Sequence, residues 1–337
     1  YGDWTNPKTW QPQRLPKAGD RVLISSRTSV RFDAKTTPVI RLIQVAGTLR
    51  FARDRSTELN VCLLKVQAGN HCTERGFACD FNSLKTNGGP NDHPGKSLPT
   101  LEVGTQQNPI PATYTARIRL HYSEGMDKKD APALVCCSAR MELHGSPLER
   151  PWVKLGATCQ PGDAKIVVNE NVSDWRVGDE IIVTASKKVR NMGTYRDEEV
   201  GTEERIVKAI DGHSITLDKP LRLEHSGEGE FRSEVANLSR NVIVESADPD
   251  GVRGHTMYHR HSKGGISYAR FAHLGKEGEL GRYPIHFHLV GETMRGSAVL
   301  GAAVVDSHNR WVTIHGTQYL LVRDCVGYKS VGHGYFL

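Results

Sequence analysis

The sequence predicts an all-β fold whose C-terminal part is a stack of short coils. Glycine is abundant, with 33 in 337 residues, and apolar residues at helical spacing are scarce. Short runs such as DRVLI, AKIVV and NVIVES are rich in β-branched residues and are bounded by Gly, Pro, Asp or Asn, as strands are. A repeat near the C-terminus indicates how these strands are arranged.

The repeat links residues that lie 18 positions apart. Stacked-coil proteins bury the apolar face of each repeat against the next one, so a short β-rich period is typical of them. Equivalent residues of adjacent coils would lie about 4.8 Å apart and form ladders along one face. The recurring pairs are Val304 and Val322, Asp306 and Asp324, and His315 and His333.

The order of the elements predicts three segments. Residues 1–146 are expected to form one β domain, in which the polar stretch 69–100, rich in glycine and proline, is a loop insertion. Residues 147–240 form a connecting β unit. Coils occupy residues 241–337, and the chain ends inside a repeat, which indicates a piece of a longer protein.

Composition and charge exclude some functions. The net charge of +6 is modest, Lys and Arg are dispersed, and no basic stripe interleaved with aromatic residues is present, which argues against a nucleic-acid partner. A weakly cationic surface is compatible with a polyanionic glycan. The sequence contains neither a signal peptide nor an apolar run long enough to span a membrane.

The seven cysteines lack the paired spacing of a zinc ribbon and the CxxCH motif of a haem protein. Cys62, Cys72 and Cys79 flank the loop insertion, where disulfides would provide order in an oxidising compartment. Buried free thiols in a reducing compartment are the alternative. Asn171-Val-Ser and Asn237-Leu-Ser match the N-glycosylation sequon, which suggests a glycoprotein.

Two parts of the sequence resemble a known family. The Trp-rich opening, LPKAGD, VAGTLRF, LEVG and MELHG resemble the G8 domain, and GELGRYPIHFHLVGE with SHNRWVTIHG resembles the parallel β-helix that follows G8 domains. This arrangement occurs in the cell-migration-inducing hyaluronidase, in transmembrane protein 2, in fibrocystin-like proteins and in microbial relatives. The resemblance implies a G8-like module followed by a right-handed parallel β-helix, in a secreted protein or the ectodomain of a surface protein.

The function that this resemblance implies is contact with glycans. We expect an extracellular protein that binds polysaccharide or glycoprotein glycans and cleaves an anionic polysaccharide such as hyaluronan, as a hydrolase or as a lyase. The alternative is a non-enzymatic surface, adhesion or assembly protein. In that case the β-helix is a scaffold and the histidines form a structural ladder.

The histidines of YPIHFHLVG are the main candidate site. Strand alternation places His286 and His288 on the outer face, and His315 is predicted on a neighbouring coil. Three imidazoles suit one transition metal ion, so a divalent metal is the cofactor that the sequence suggests, with a ligand-free polar ladder as the alternative. The residues predicted on the inner face are Tyr283, Ile285, Phe287 and Leu289.

Two chemistries for glycan cleavage are compatible with these residues. Asp306 and Asp324 on adjacent coils would have nearly the carboxylate separation of a retaining hydrolase, about 5 Å. A lyase instead needs a base such as histidine and a cation, such as Arg282, that neutralises the uronate carboxylate. The predicted catalytic residues are His286, His288, His315, Asp306 and Arg282.

Substrate binding is predicted from three further residues. Trp311 has outward strand parity near His315 and is the candidate for stacking against a sugar ring. Arg310 is a candidate to bind a carboxylated sugar, and His333 is expected to extend the histidine ladder by one coil.

Overall fold

The computed structural model describes residues 1–80, 98–186 and 201–337, and within these ranges the chain is almost entirely β-structure. The one described helix is a 3-10 turn at Pro7–Thr9, and no described helix is long and apolar enough to cross a membrane. The predicted loop insertion 69–100 falls largely on residues 81–97, which lie outside the described residues. The all-β prediction is confirmed.

The strands fall into three groups along the chain. The first ten are β1 (Gly2–Asp3), β2 (Arg21–Ile24), β3 (Ser29–Phe32), β4 (Ile40–Val45), β5 (Thr48–Phe51), β6 (Thr57–Val66), β7 (Thr100–Val103), β8 (Ala116–Leu120), β9 (Ala133–Cys137) and β10 (Arg140–His144). The next six are β11 (Trp152–Lys154), β12 (Lys165–Val167), β13 (Glu180–Val183), β14 (Glu203–Asp211), β15 (Ser214–Leu217) and β16 (Glu234–Asn237). The last eleven are β17 (Val242–Ser246), β18 (His255–His259), β19 (Ile266–Ser267), β20 (Ala269–Ala272), β21 (Ile285–Gly291), β22 (Ala298–Leu300), β23 (Ala303–Ser307), β24 (Val312–Thr317), β25 (Leu321–Arg323), β26 (Val326–Ser330) and β27 (Tyr335–Phe336).

The third group forms a parallel β-helix, as predicted, and the first group belongs to the same β-helix. One sheet runs in the order β1-β3-β5-β7-β10-β19-β22-β25, and all of its neighbours are parallel. A second sheet has three branches that meet at β6. One contains β4 and β2, one contains β8, β17, β20, β23 and β26, and one contains β9, β18, β21, β24 and β27. The four coils β8–β10, β17–β19, β20–β22 and β23–β25 therefore each contribute one strand to each of three faces.

Aromatic and aliphatic side chains of equivalent positions stack inside the coils. Phe32 and Phe51 are register partners whose rings lie 4.6 Å apart, and Trp4 packs edge-on against Phe32. Further along, the rings of Tyr258 and Phe287 stack at 4.8 Å. Each fully buried ring stabilises the fold by about 2–3 kcal/mol through removal of apolar surface from water.

The coils do not follow the 18-residue repeat, so that prediction is wrong. Ile285 pairs with Val312, 27 residues later, whereas Val312 pairs with Tyr335, 23 residues later. The corners between strands differ in length, and only the strands must align for the backbone hydrogen bonds to form. A constant sequence period is therefore not required.

The chain divides into two compact units. One comprises residues 1–146, 240–323 and 327–337, and the other comprises residues 147–239 with 324–326. The segment 1–146, expected to be a separate domain, thus supplies the first coils of the same β-helix as the C-terminal segment. The second unit interrupts that β-helix in sequence.

The second unit is an antiparallel sheet in the order β11-β16-β13-β14-β15-β12. Its most buried charge is Glu203, whose carboxylate accepts hydrogen bonds from Arg205 Nη2 at 2.5 Å and from His225 Nε2 at 3.0 Å. The backbone N–H groups of Arg222 and Leu223 donate to the same carboxylate. Burial alone would raise the pKa of Glu203, but the hydrogen bonds from His225 and from these two N–H groups lower it to about 2.

A disulfide joins Cys79 to Cys137 in the β-helix unit. The sequence placed Cys79 among the candidates for such a bond, and the partner lies at the end of β9 rather than beside the loop insertion. Cys62 and Cys72 are not bonded to each other or to this pair.

We expect Glu203→Gln to destabilise the second unit by about 3 kcal/mol, because one partner of a buried, hydrogen-bonded charge network loses its charge. The folded pKa of Glu203 lies below its unfolded value of about 4.3, so this stabilisation is present above that value and declines as the pH falls toward 2. Urea unfolding between pH 3 and 7 should show that the variant loses this pH dependence. The control is Glu228→Gln at an exposed position of the same unit, and an equal effect of both changes would contradict the prediction.

Candidate functional site

A ladder of side chains occupies one position of four successive coils. His259 pairs in register with Cys137, His288 with His259, and His315 with His288. His286 lies two residues before His288 on the same strand, so it faces the same side. We call His259, His286, His288 and His315 the histidine cluster.

His286 is held in one orientation by the backbone. Its side chain is buried, and Nδ1 lies 2.9 Å from the carbonyl oxygen of Gly281. A carbonyl only accepts hydrogen bonds, so Nδ1 carries the proton and donates it, and Nε2 keeps its lone pair. Metal-binding histidines in proteins are oriented in the same way, by a hydrogen bond from the ring nitrogen that does not bind the metal.

His288 and His315 lie at the open side of the cluster. Their Nδ1 atoms are 3.1 Å apart, and the ring of His288 is also 4.9 Å from the ring of His286. His286 is buried, His288 is half-buried and His315 is exposed. Access from solvent is therefore on the His315 side.

His259 extends the cluster toward the N-terminal coils. The rings of His259 and His288 lie 4.9 Å apart. Nδ1 of His259 is buried and has no hydrogen-bond partner among the described residues. His255 is fully buried with Nε2 bonded to the Gly76 carbonyl, whereas His261 is exposed in a turn.

Burial keeps His259, His286 and His288 neutral near neutral pH. Desolvation, followed by the charge of His288, lowers the pKa of His259 to about 3 and that of His286 to about 3. Desolvation, followed by the charges of His315 and Arg260, lowers the pKa of His288 to about 4. These imidazoles therefore keep lone pairs that can bind a cation near neutral pH.

The residue that follows each ladder position has a left-handed backbone conformation, with positive φ. Ser138, Arg260, Leu289 and Gly316 directly follow the four ladder positions and have φ values of 45°, 34°, 52° and 54°. The prediction that Leu289 faces the core is wrong, because this corner ends the strand alternation and leaves the side chain 42% exposed. Non-glycine residues in this conformation are uncommon, and they are frequent at functional sites.

Phe77 and Arg282 line the N-terminal side of the cluster. The ring of Phe77 lies 5.5 Å from that of His288 and 6.3 Å from that of His259. The Arg282 guanidinium lies over the Phe77 ring at 4.0 Å. It donates hydrogen bonds to the carbonyls of Lys129 and Leu280 and forms an ion pair with Asp130. The sequence predicted Arg282 but not Phe77, which lies far from the histidines along the chain.

Asp306 lies apart from the histidine cluster. Its carboxylate accepts hydrogen bonds from His273 Nδ1 at 2.7 Å and Arg253 Nη2 at 2.9 Å, and these partners, His273 first, lower its pKa despite burial. Asp306 belongs to β23 and Asp324 follows β25, so they lie on different faces. The prediction that these aspartates stack on adjacent coils is wrong.

The predicted substrate-binding residues are engaged elsewhere. Arg310 stacks on Phe336 at 3.5 Å and donates to the Tyr283 hydroxyl. Trp311 donates to the Lys329 carbonyl. A Cβ atom on Gly327 or Gly334 would overlap its ring, so Trp311 packs on backbone rather than standing free for a sugar.

His333 does not continue the histidine ladder, and that prediction is wrong. Because Val312 pairs with Tyr335, the position of His333 lies opposite Arg310. The His333 side chain is exposed in the turn before β27, where its ring is 5.7 Å from that of Phe336.

The chemistry of the cluster fits a transition metal ion. One ring nitrogen from each of His286, His288 and His315 lies within 4.8 Å of the other two. The nitrogen ligands of a tetrahedral zinc ion, bound at about 2.0–2.1 Å, lie about 3.4 Å apart, and the Nδ1 atoms of His288 and His315 are 3.1 Å apart. Imidazole nitrogen suits zinc, copper, iron or nickel, whereas magnesium and calcium prefer oxygen ligands.

Comparison with known families agrees with this architecture. Residues 9–156 match the G8 domain, and residues 251–337 match the CEMIP beta-helix. The chain is therefore similar to the G8 domain and to the CEMIP beta-helix in the two regions where the sequence motifs indicated this resemblance. All four residues of the histidine cluster lie within the second match.

The chain is similar to several larger proteins. It is 28% identical over 394 residues to fibrocystin-L of Mus musculus, an alignment that covers 100% of this chain and 8% of that protein. It is 27% identical over 354 residues to protein rliB of Dictyostelium discoideum, covering 99% of this chain and 27% of that protein. The chain thus spans less than a third of the length of these relatives.

Among solved structures the chain is similar to phage tailspikes. The tailspike gp61 of Pseudomonas phage phi297 aligns with 91% of this chain and 42% of its own, at 10% identity and a TM-score of 0.27. The gp54 tailspike of Acinetobacter baumannii bacteriophage AP22, solved with a capsular saccharide, aligns with 95% and 46% at 7% identity and a TM-score of 0.25. These scores are low, and the fold assignment rests on the strand pairing.

We expect Gly281→Ala to destabilise the protein by about 1–3 kcal/mol more than Gly278→Ala. Both glycines have positive φ, +82° and +74°, so both alanines carry the same backbone strain. A Cβ atom on Gly281 would also lie 2.4 Å from the Phe77 ring, whereas nothing lies within 4 Å of one on Gly278. Urea unfolding of both variants measures the difference, and equal losses would show that Phe77 does not pack here.

Proposed function

We propose that the histidine cluster binds one divalent transition metal ion and that the protein acts there on an anionic polysaccharide outside the cell. The convergence of three ring nitrogens within 4.8 Å, with the Nε2 atom of His286 fixed as an acceptor, carries this proposal. When bound, the ion supplies positive charge for an anionic substrate. His286, His288 and His315 hold it.

Positive charge beside the histidine cluster supports a uronate polymer as the substrate. Arg260 follows His259 in the chain, is exposed, and its charge contributes to the lowered pKa of His288. Arg282 lies over the Phe77 ring and is ion-paired with Asp130, so Arg260 is the cation proposed to meet the substrate. A carboxylate-bearing sugar near Arg260 gains Coulomb attraction that a neutral sugar lacks.

The donor set favours elimination over hydrolysis by paired carboxylates. A retaining or inverting hydrolase needs two carboxyl groups flanking one bond, and Asp306 is committed to His273 and Arg253. In a lyase, a neutral imidazole removes the proton next to the uronate carboxylate, and the electrons of that C–H bond form the double bond. The glycosidic C–O bond breaks at the same time, and the leaving oxygen takes a proton from water. His259 is the one imidazole of the histidine cluster outside the three metal ligands, so it is the candidate base.

A scaffold or adhesion role is the second candidate, because the chain aligns over its whole length with fibrocystin-L. A purely structural ladder satisfies its buried polar atoms, since each unpaired one costs about 1–3 kcal/mol. Nδ1 of His259 has no partner among the described residues, but Nδ1 of His144 and of His255, outside the cluster, share this property. The preference for a ligand site therefore rests on the convergence of His286, His288 and His315.

The test is degradation of hyaluronan and related uronate polymers, resolved by product size, with and without a chelator. We expect wild type to contain about one equivalent of metal and to release unsaturated uronates, which absorb ultraviolet light. His286→Ala/His288→Ala should lower metal affinity and the cleavage rate by more than about 100-fold. The matched control is His213→Ala, an exposed histidine of the second unit, which should leave both unchanged.

The outcomes separate the candidates. Saturated products would replace the lyase by a hydrolase, and cleavage that survives both chelation and the double substitution would reject the histidine cluster as the active site. A folded protein that cleaves no polymer and binds no metal would favour the scaffold role.

An extracellular location implies glycosylation at one of the two sequons. Asn171 is exposed, whereas Asn237 is fully buried and its amide donates to Asp179 at 2.7 Å. After expression through a secretory pathway, we expect a single N-glycan, removed by Asn171→Gln and unaffected by Ser239→Ala. Mass spectrometry after enzymatic deglycosylation counts the sites, and a glycan on Asn237 would contradict the prediction.

A further inference from the structure

The segment Cys72–Asp80, which we call the anchored segment, is tied to the β-helix at several points. Glu74 forms ion pairs with Arg41 and Arg21. At its C-terminal end, Asp80 accepts a hydrogen bond at 2.7 Å from Lys65, whose side chain is fully buried. Such contacts give an otherwise irregular stretch of chain a defined position.

Two contacts attach the anchored segment directly to the coils of the histidine ladder. Nε2 of His255 donates a hydrogen bond to the carbonyl oxygen of Gly76 at 3.0 Å. Cys79 is bonded to Cys137, and Cys137 is the register neighbour of His259. The disulfide therefore occupies the ladder position immediately before the first histidine.

Phe77 lies between these two attachment points and faces the histidine cluster. One face of its ring is covered by the Arg282 guanidinium at 4.0 Å, and its nearest imidazole is that of His288, 5.5 Å away. The glycine at position 281 leaves the space that the ring fills. The ring is thus packed in place and is not a freely rotating surface side chain.

We propose that Phe77, held by the Cys79–Cys137 disulfide, is a positioning residue of the histidine cluster that closes its N-terminal side to water. The apolar ring occupies this side of the cluster and offers no ligand atom. Water and substrate therefore reach the imidazoles from the His315 side. The disulfide acts through Phe77 by keeping the anchored segment on the ladder. The metal-binding part of this inference rests on the proposed function.

The first measurement is the visible spectrum and affinity of bound Co²⁺. A site closed on one side favours four-coordinate Co²⁺ with intense absorption, and water admitted by Phe77→Ala raises the coordination number and weakens the bands. We expect Phe77→Ala to bind Co²⁺ about 10–100-fold more weakly, as loss of a supporting residue does, and Phe77→Leu to restore most of the affinity and the spectrum. Phe231→Ala, at a ring that is 93% exposed in the second unit, is the control.

The disulfide is tested by Cys79→Ala/Cys137→Ala, with Cys62→Ala as a control at a buried cysteine of the same apolar cluster. We expect the double variant to reproduce the spectrum of Phe77→Ala, and addition of Phe77→Ala to it to cause little further change. Such non-additivity is the signature of residues that act through one another. Fully additive effects would overturn the coupling, and an unchanged Co²⁺ spectrum in Phe77→Ala would overturn the role of Phe77.

A measurement on metal-free protein separates this inference from the proposed function. If wild type binds no Co²⁺, metal binding is refuted, and carbethoxylation of His259 and His288 by diethylpyrocarbonate, located by mass spectrometry, decides the role of Phe77. We expect about 10-fold faster modification in Phe77→Ala than in wild type or Phe77→Leu, with thermal unfolding confirming that all three are folded. Equal rates would reject Phe77 as a barrier.

Discussion

In-register parallel pairing between coils determines where the side chains of the β-helix lie. Because each backbone N–H and C=O must find a partner on the next coil, a strand cannot shift by one residue without turning its apolar face outward. The histidine cluster is a direct result of this constraint, since His259, His288 and His315 are register partners. Their proximity follows from backbone hydrogen bonding and does not depend on attraction between imidazoles.

The same constraint explains which parts of the site could be predicted from the sequence. His286 and His288 are two residues apart on one strand, so their common face follows from strand geometry alone. The family resemblance indicated the β-helix, and His315 sits in a segment that resembles one of its coils. These three residues were therefore predicted together and are found together.

The failed predictions came from the corners, whose lengths no strand pattern reveals. Asp306 and Asp324 are separated by the 18 residues of the apparent repeat, but they lie on different faces of the β-helix. The reason is that a corner, unlike a strand, accepts extra residues without loss of backbone hydrogen bonds. Phe77 was missed for a related reason. Its position depends on a disulfide and on long-range contacts of an irregular segment, and neither has a sequence period.

One asparagine shows how a β-helix accommodates a whole inserted unit. The side chain of Asn241 donates to the carbonyls of Ile110, Pro111 and Tyr114, and its oxygen accepts from the N–H of Ser146. The two points at which residues 147–239 leave and rejoin the helix are thus fastened to each other by one hydrogen bond. The entropic cost of closing a loop grows only with the logarithm of its length. Because the hydrogen bond between Asn241 and Ser146 joins the two ends of the insertion, the length of the inserted unit has little effect on the free energy of unfolding of the β-helix. An entire domain can therefore be inserted or exchanged at such a corner while the distances within the histidine cluster stay the same.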